Sequence, residues 1–363
     1  MKRRPFLATL GAAAASFATR VRAADEEPER KLGWAVVGLG SLSTNQIAPA
    51  LAKARFSKLA AIVTGTPGKA EKWKAQYGIP DRCVYDYQNF DRIADNPAVD
   101  VVYIVLPNSM HEEFTIRAAK AGKHVFCEKP MANTADECRR MIAAAKAADR
   151  QLGVGYRCQL EANHAACIRL ARERKLGALK FIEAGFGFRI GDPKQWRLRK
   201  ALAGGGALMD VGIYALQAAR YLTGEEPLEV FARETKTDPV KFAEVDETIS
   251  WTMKFPSGVL ANLMTTYAFG GANYFRAYAE EGSFGMDPAY GYGGLKAWAS
   301  RDELKPDFPH ADHFLTEMDA FSGAILANRP FAPSGEEGLR DLLVIDAIYQ
   351  SIREGKPVAP LKV

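Results

Sequence analysis

An apolar run, Trp34–Val37, ends on Gly38-Leu39-Gly40-Ser41-Leu42-Ser43, and residues 44–55 then take helical spacing. This strand, glycine loop and helix constrain the fold more than any other stretch. A run without alternation belongs to a strand buried on both faces, the habit of parallel sheets covered by helices. Parallel strands need long crossovers, so strand and helix must then alternate. They do. Residues 59–64 read as a buried strand, and 69–78 as a helix stopped by Gly78. Residues 100–106 form a strand stopped by Pro107, and 111–123 a helix stopped by Gly122. HVFCEKP is a strand ending at Pro130; a helix follows, opened by Thr134 with Glu137 as its capping-box partner. QLGVGYR closes the series near residue 156. The pattern predicts a doubly wound parallel α/β sheet.

The second half reads differently. Residues 161–175 are helical, and longer strand-like stretches follow at 180–190, 228–237, 247–255, 258–269 and 273–287. Residues 313–326 and 336–355 are closing helices. This predicts an α+β domain with a large open, mostly antiparallel sheet. The length agrees, because a single core seldom grows beyond about 250–300 residues. The expected division is a signal over 1–23, a short arm over 24–31, a dinucleotide-binding domain over 32–156, and a substrate-binding and oligomerisation domain over 157–363.

The signal rests on Lys2, Arg3 and Arg4, then Phe6-Leu7, an Ala-rich run, and Val21-Arg22-Ala23 before Ala24. Arg-Arg-x-Phe-Leu with a mild apolar stretch reads as twin-arginine export to the periplasm, a Sec-type signal or a disordered basic start being the other readings. The twin-arginine route carries folded proteins, so a cofactor could travel inside. The net charge is +5, and five of the cationic side chains fall in the first 22 residues. The mature chain is near neutral, which argues against nucleic acid as a partner. Five cysteines show neither metal-ligand spacing nor a disulfide framework, so buried free thiols and no metal are expected. His310 and His313 read as loop and helix-start residues.

Gly38 permits the tight turn, and Gly40 lets backbone N–H groups approach a pyrophosphate on the helix N-terminus. Ser43 stands where a third glycine is usual and is small enough for close packing. The second strand ends on Thr64-Gly65-Thr66 with Lys69 beyond, and no acid. A hydroxyl and an ammonium suit a 2′-phosphate, so NADP is favoured over NAD, although Lys69 could be a solvated helix lysine. Glu128-Lys129-Pro130 lies at the carboxyl end of a core strand, where ligands of such sheets bind. Asp210 and Tyr214, four apart after Gly204-Gly205-Gly206, share a helix face. Carboxylate, phenol and ammonium together suit hydride transfer: a tyrosine takes the alcohol proton if a nearby Lys⁺ lowers its pKa. The plainer readings are a loop lysine, a helix cap and a core aromatic.

VVGLGSLSTNQI, VYIVLPNSMHEEFTIRAAKAGKHVFCEKPMA, GYRCQ, QWRLRKALAGGGALMDVGIY and MDPAYGY resemble the Gfo/Idh/MocA oxidoreductases, in the branch of the periplasmic glucose–fructose and aldose–aldose enzymes. The resemblance implies that Lys129 holds the reacting sugar hydroxyl, that Tyr214 is the acid/base and that Asp210 orients the sugar. It implies Gly38, Leu39, Gly40, Ser41 and Leu42 at the pyrophosphate, and Thr64, Gly65 and Lys69 at the 2′-phosphate. Pro107, Asn108, His111, Glu128, Lys129, Arg157, Trp196 and Arg197 would line the cofactor groove. Two features depart from the glucose–fructose pattern. Only ADEEPERK stands in place of a long Pro-rich arm, and Gln159-Leu160-Glu161-Ala162 differs after GYRC. The expected activity is oxidation of an aldose at C1 and reduction of a second sugar by one tightly bound NADP, in a homodimer or homotetramer. The alternatives are an aldose 1-dehydrogenase with exchangeable NADP, a redox-neutral glycosidase using NAD, and a non-catalytic NADP-binding sensor.

Overall fold

The computed structural model of the chain describes residues 30–362; the expected export signal over 1–23 and all of the expected arm but Arg30 and Lys31 lie outside the described residues. Strand β1 (Leu32–Val37) is buried along its whole length. It lies between β2 (Ser57–Val63) and β4 (Val101–Ile104), with β3 (Val84–Tyr85) outside β2, and β5 (His124–Cys127) and β6 (Leu152–Val154) beyond β4. All six run parallel in the order β3-β2-β1-β4-β5-β6. The doubly wound sheet read from the sequence is therefore present. Val37 pairs with both Val63 and Ile104, and Ile104 pairs with Cys127. The loops opening at Gly38, Thr64, Val105 and Glu128 thus leave one edge of the sheet, the edge where such folds bind ligands. The capping box at Thr134 forms as expected, with Thr134 Oγ1 accepting from Glu137 N at 3.2 Å and Glu137 Oε2 from Thr134 N at 3.1 Å.

The second sheet has seven strands: β7 (Leu179–Gly187), β8 (Glu229–Thr235), β9 (Thr248–Lys254), β10 (Leu260–Thr266), β11 (Asn273–Ala279), β12 (Gly282–Met286) and β13 (Ala297–Ala299). Their order is β13-β12-β11-β7-β10-β9-β8, antiparallel except for the parallel β7/β10 pair. The stretch 273–287 is a hairpin of β11 and β12 rather than one strand, turning at Glu280-Glu281. Helix Ile213–Thr223 packs on β7 and β10, and helix Gly335–Glu354 on β8. The uncovered face carries partly exposed Phe181 and Met264 and exposed Leu260 and Tyr278.

Helix His313–Leu326 returns to the first sheet. Ser322 Oγ accepts from Trp34 Nε1 at 3.0 Å, and Asp319 accepts from the backbone N–H groups of Arg55 (2.6 Å) and Phe56 (2.8 Å). Trp34, Tyr103, Phe126 and Phe321 meet edge to face or tilted around this junction, each contacting pair contributing about 1 kcal/mol beyond its burial. The junction carries the N-terminus of that helix, His313, to the ligand edge. All five cysteines are buried and unbridged. Among the described residues no helix is long and apolar enough to cross a membrane.

Candidate active site

The phosphate loop is built by close approach. Gly38 has φ +92°, and a Cβ there would meet Val105 O at 2.3 Å, so glycine is required. Ser43 is fully buried, and its Oγ donates to Gly38 O at 2.5 Å, tying the loop to the first turn. A π-wound turn, Ser43–Ile47, then runs into helix Ala48–Leu51. Leu39 is buried and Leu42 packs on the core, so only their backbone faces the ligand edge. Gly40 and Ser41 are exposed, and a Cβ on Gly40 would have nothing within 4 Å. The first N–H groups of the helix have no acceptor within it. An open glycine cradle over free donors fits the pyrophosphate of a dinucleotide.

At the end of β2, Thr64 is buried and its Oγ1 accepts from Thr66 N at 3.2 Å. Gly65 sits on the Tyr87 ring, where a Cβ would approach Cε2 to 2.9 Å. Lys69 is exposed on the following helix and forms no ion pair with any described residue. These groups suit the ribose phosphate end of NADP.

Lys129 and the Asp210–Tyr214 segment converge, as expected. Lys129 Nζ donates to Asp210 O at 2.5 Å and to Asp210 Oδ1 at 3.3 Å, and it lies 5.0 Å from the centre of the Tyr214 ring. Asp210 also accepts at Oδ2 from Arg197 Nε (3.0 Å) and Tyr267 OH (2.8 Å). Burial opposes the charge of Asp210, but Lys129 and Arg197 hold its carboxyl below the usual range. Asp210 lies in a π-wound turn, Leu208–Gly212, rather than on an α-helical face; such turns recur at functional sites.

The segment is placed by its glycines and by Asp246. A Cβ on Gly205 would fall 2.0 Å from Tyr349 OH, and one on Gly206 2.0 Å from Asp246 O. The Asp246 carboxylate accepts from Gly206 N (2.7 Å), Leu208 N (2.8 Å) and Tyr349 OH (2.6 Å).

One expectation is corrected. The cation at the Tyr214 oxygen is not Lys129, whose ammonium is drawn to Asp210. It is Arg157, whose Nε donates to Tyr214 OH at 3.2 Å. Burial pushes the phenol above its ordinary value, and Arg157 is the largest pull the other way. Arg157 and Arg197, which the resemblance assigned to the cofactor groove, thus bond Tyr214 and Asp210, the residues expected at the sugar. Arg197 also stacks on the ring of Trp196, 4.7 Å away.

The remaining residues act as braces. Asn108 is buried and its Nδ2 donates to Ala203 O at 2.9 Å, joining the loop after Pro107 to the glycine turn. His111 is buried at a helix start, with its ring nitrogens 3.0 Å from Pro130 O and 2.9 Å from Leu106 O; burial lowers its pKa. It joins the two loops and does not line an open groove. Pro107 itself is partly exposed at the ligand edge. Glu128 is buried and accepts from Tyr103 OH at 2.5 Å; the same hydroxyl is 3.3 Å from fully buried Glu317. Burial raises the pKa of both acids, that of Glu317 well above the ordinary value.

Sequence reasoning missed Tyr267, Tyr292 and Glu317 and read His313 only as a helix start. Tyr267 directly follows β10, where an aromatic is ordinary, and Glu317 lies in a helix of apolar period. His313 was noticed, but its contact with Arg157 Nη1, 3.0 Å from Nδ1, depends on the long return of its helix.

Residues 32–156 match the family described as "Oxidoreductase family, NAD-binding Rossmann fold", and residues 164–285 match the "GFO/IDH/MocA C-terminal domain". The chain is similar to the crystal structure of aldose-aldose oxidoreductase from Caulobacter crescentus complexed with glycerol: 47% identity, TM-score 0.87, covering 91% of this chain and 100% of that one. It is 28% identical over 326 residues to the D-xylose 1-dehydrogenase [NADP(+)] of Haloarcula marismortui, covering 88% of this chain and 90% of that protein. Levoglucosan dehydrogenase in complex with NADH and levoglucosan shares the fold, at 23% identity and TM-score 0.78 over 92% of this chain and 100% of that one.

Proposed function

The chain belongs to the Gfo/Idh/MocA oxidoreductase family and is an oxidoreductase of sugars, and from that premise we propose that it keeps NADP bound and passes hydride between two sugars. One aldose is oxidised at C1 to the lactone; a second sugar, aldose or ketose, is reduced to the alditol. The observation that carries the reading is the convergence of Lys129, Asp210 and Tyr214 at the sheet edge from which the phosphate loop also leaves. Nicotinamide, when bound, accepts and returns the hydride. Lys129 and Asp210 hold the hydroxyl and orient the ring. In the first half-reaction the Tyr214 phenolate takes the O–H proton as the C1–H bond gives up hydride. In the second, Tyr214 returns that proton to the carbonyl oxygen of the acceptor. Proton and hydride both balance over the cycle, so no external carrier is consumed.

Retention of NADP is supported by Arg3-Arg4-Pro5-Phe6-Leu7 and the Ala-rich run after it, which we read as a twin-arginine signal, since export to the periplasm favours an enzyme that needs no recharging. Likeness to an aldose-aldose oxidoreductase supports the second sugar. Likeness to a D-xylose 1-dehydrogenase favours one rival, an aldose 1-dehydrogenase with exchangeable NADP. Protein purified without added nucleotide separates them. About one NADP(H) per chain, with aldonate and alditol formed in equal amounts from a sugar mixture, is the expected result; an empty protein reducing added NADP would establish the dehydrogenase. The uncovered face of the second sheet, with Leu260 and Tyr278 exposed, supports a homodimer or homotetramer built on that face. A monomeric mass by light scattering would refute this.

A further inference from the structure

We propose that Arg157 is the counter-charge for the Tyr214 phenolate, and so a positioning residue for the acid/base rather than a member of the cofactor groove. The proposal rests on the reading of Tyr214 as the acid/base.

Arg157 is 3% exposed, which is exceptional for a guanidinium, and a buried cation is costly unless compensated. No carboxylate among the described residues forms an ion pair with it. Its donors go instead to neutral acceptors: Nε to Tyr214 OH (3.2 Å), Nη1 to Gly291 O (3.2 Å), and Nη2 to Tyr290 O (2.5 Å). His313 Nδ1 stands 3.0 Å from Nη1. Burial lowers the pKa of that imidazole to about 4, so it serves as a neutral acceptor. The hydrogen bonds are satisfied, but no carboxylate is bonded to the charge: Glu128 and Glu317 feel it only at a distance, their pKa lowered by it and raised by burial, while Tyr103 OH takes their oxygens. Among the direct partners, only Tyr214 can become an anion without breaking the arrangement, by losing the proton it must lose to act as a base.

The surroundings sharpen this. From the β5 end, Lys129 lies over the Tyr214 ring face and is bound to Asp210, and Glu128 is bound to Tyr103. From helix His313–Leu326, Glu317 also faces Tyr103. Beside Arg157, Cys158 and His164, the latter paired with Glu161 at 2.7 Å, line one small cavity with Tyr214. Burial raises the Cys158 thiol, but Arg157 and His164 bring its pKa below the ordinary value, so it competes for the same cation. From the loop after β12, Tyr292 stacks on the guanidinium at 4.8 Å while Tyr214 lies at 4.9 Å. Tyr292 thereby covers the cation from solvent, which strengthens its pull on the phenolate.

The test reads Tyr214 ionisation in the holoenzyme, as the ultraviolet tyrosinate band that Tyr214→Phe removes; it requires neither sugar nor turnover, so it stands apart from the recycling reading. Arg157→Gln is expected to raise the midpoint by about one pH unit or more. Arg157→Lys, which keeps a charge, is expected to recover most of this. An unmoved midpoint with loss of bound NADP would return Arg157 to the cofactor groove and overturn the proposal. Should Arg157→Gln fail to fold, Lys129→Gln decides: a midpoint within about half a pH unit of wild type supports the proposal, and a rise of about one unit or more overturns it.

Discussion

Asp246→Ala probes how the sugar site is held in place. The Asp246 carboxylate is 4% exposed and accepts from Gly206 N, Leu208 N and Tyr349 OH at 2.6–2.8 Å. Alanine leaves two backbone donors and a phenol without that acceptor. An unsatisfied buried donor costs about 1–3 kcal/mol, so the two N–H groups alone make a loss of about 4 kcal/mol reasonable. For a domain of this size that is a fall of about 8–16 °C in Tm. Calorimetry on the NADP-loaded protein gives the number. The same clamp sets the turn carrying Asp210, so the hydride step is expected to fall by at least about tenfold even well below the melting point. A Tm within about 2 °C of wild type, with normal turnover, would show that the glycine turn holds itself and refute the reasoning.

Other expectations follow from the same contacts. Lys69→Ala is expected to weaken NADP binding by about tenfold and leave NAD binding nearly unchanged, measured by titrating stripped protein; equal effects on both would place the 2′-phosphate elsewhere. Tyr214→Phe is expected to keep its NADP and lose at least about a hundredfold in hydride transfer; near-normal turnover would remove Tyr214 as the acid/base. Burial disfavours the charge on His164, but Cys158 and Glu161 raise its pKa to about 9. Its stabilisation is full below the unfolded value near 6.5 and is lost as pH rises through about 9, a decline on the order of 3 kcal/mol in denaturant melts. Glu161→Gln is expected to flatten that decline, and an unchanged slope would contradict the assignment.

The fold was legible where burial writes a pattern. β1 reads as an unbroken apolar run because both its faces are covered, and Thr134 with Glu137 marks a helix start by chemistry that is entirely local. β3 spans only Val84–Tyr85, too short for any period. The β11–β12 turn was hidden because Glu280-Glu281 interrupts two strands without glycine or proline ahead of it. In the site, Lys129, Asp210 and Tyr214 were legible as chemistry placed at element ends. The roles of Arg157, Tyr267 and His313 were not, because each depends on a contact between segments far apart in the chain, as with Arg157 and Tyr290. Even the phenol's cation was misread: a lysine was near in kind, but its ammonium is bound to Asp210.

The most direct measurement follows hydride itself. The protein is given an aldose deuterated at C1, an unlabelled acceptor sugar, and an excess of unlabelled NADPH in solution. Retention of the cofactor through the cycle predicts alditol carrying deuterium at the reduced carbon in nearly every molecule, because hydride never mixes with the free pool. Alditol with deuterium diluted in proportion to added NADPH, or no alditol at all, would contradict the account.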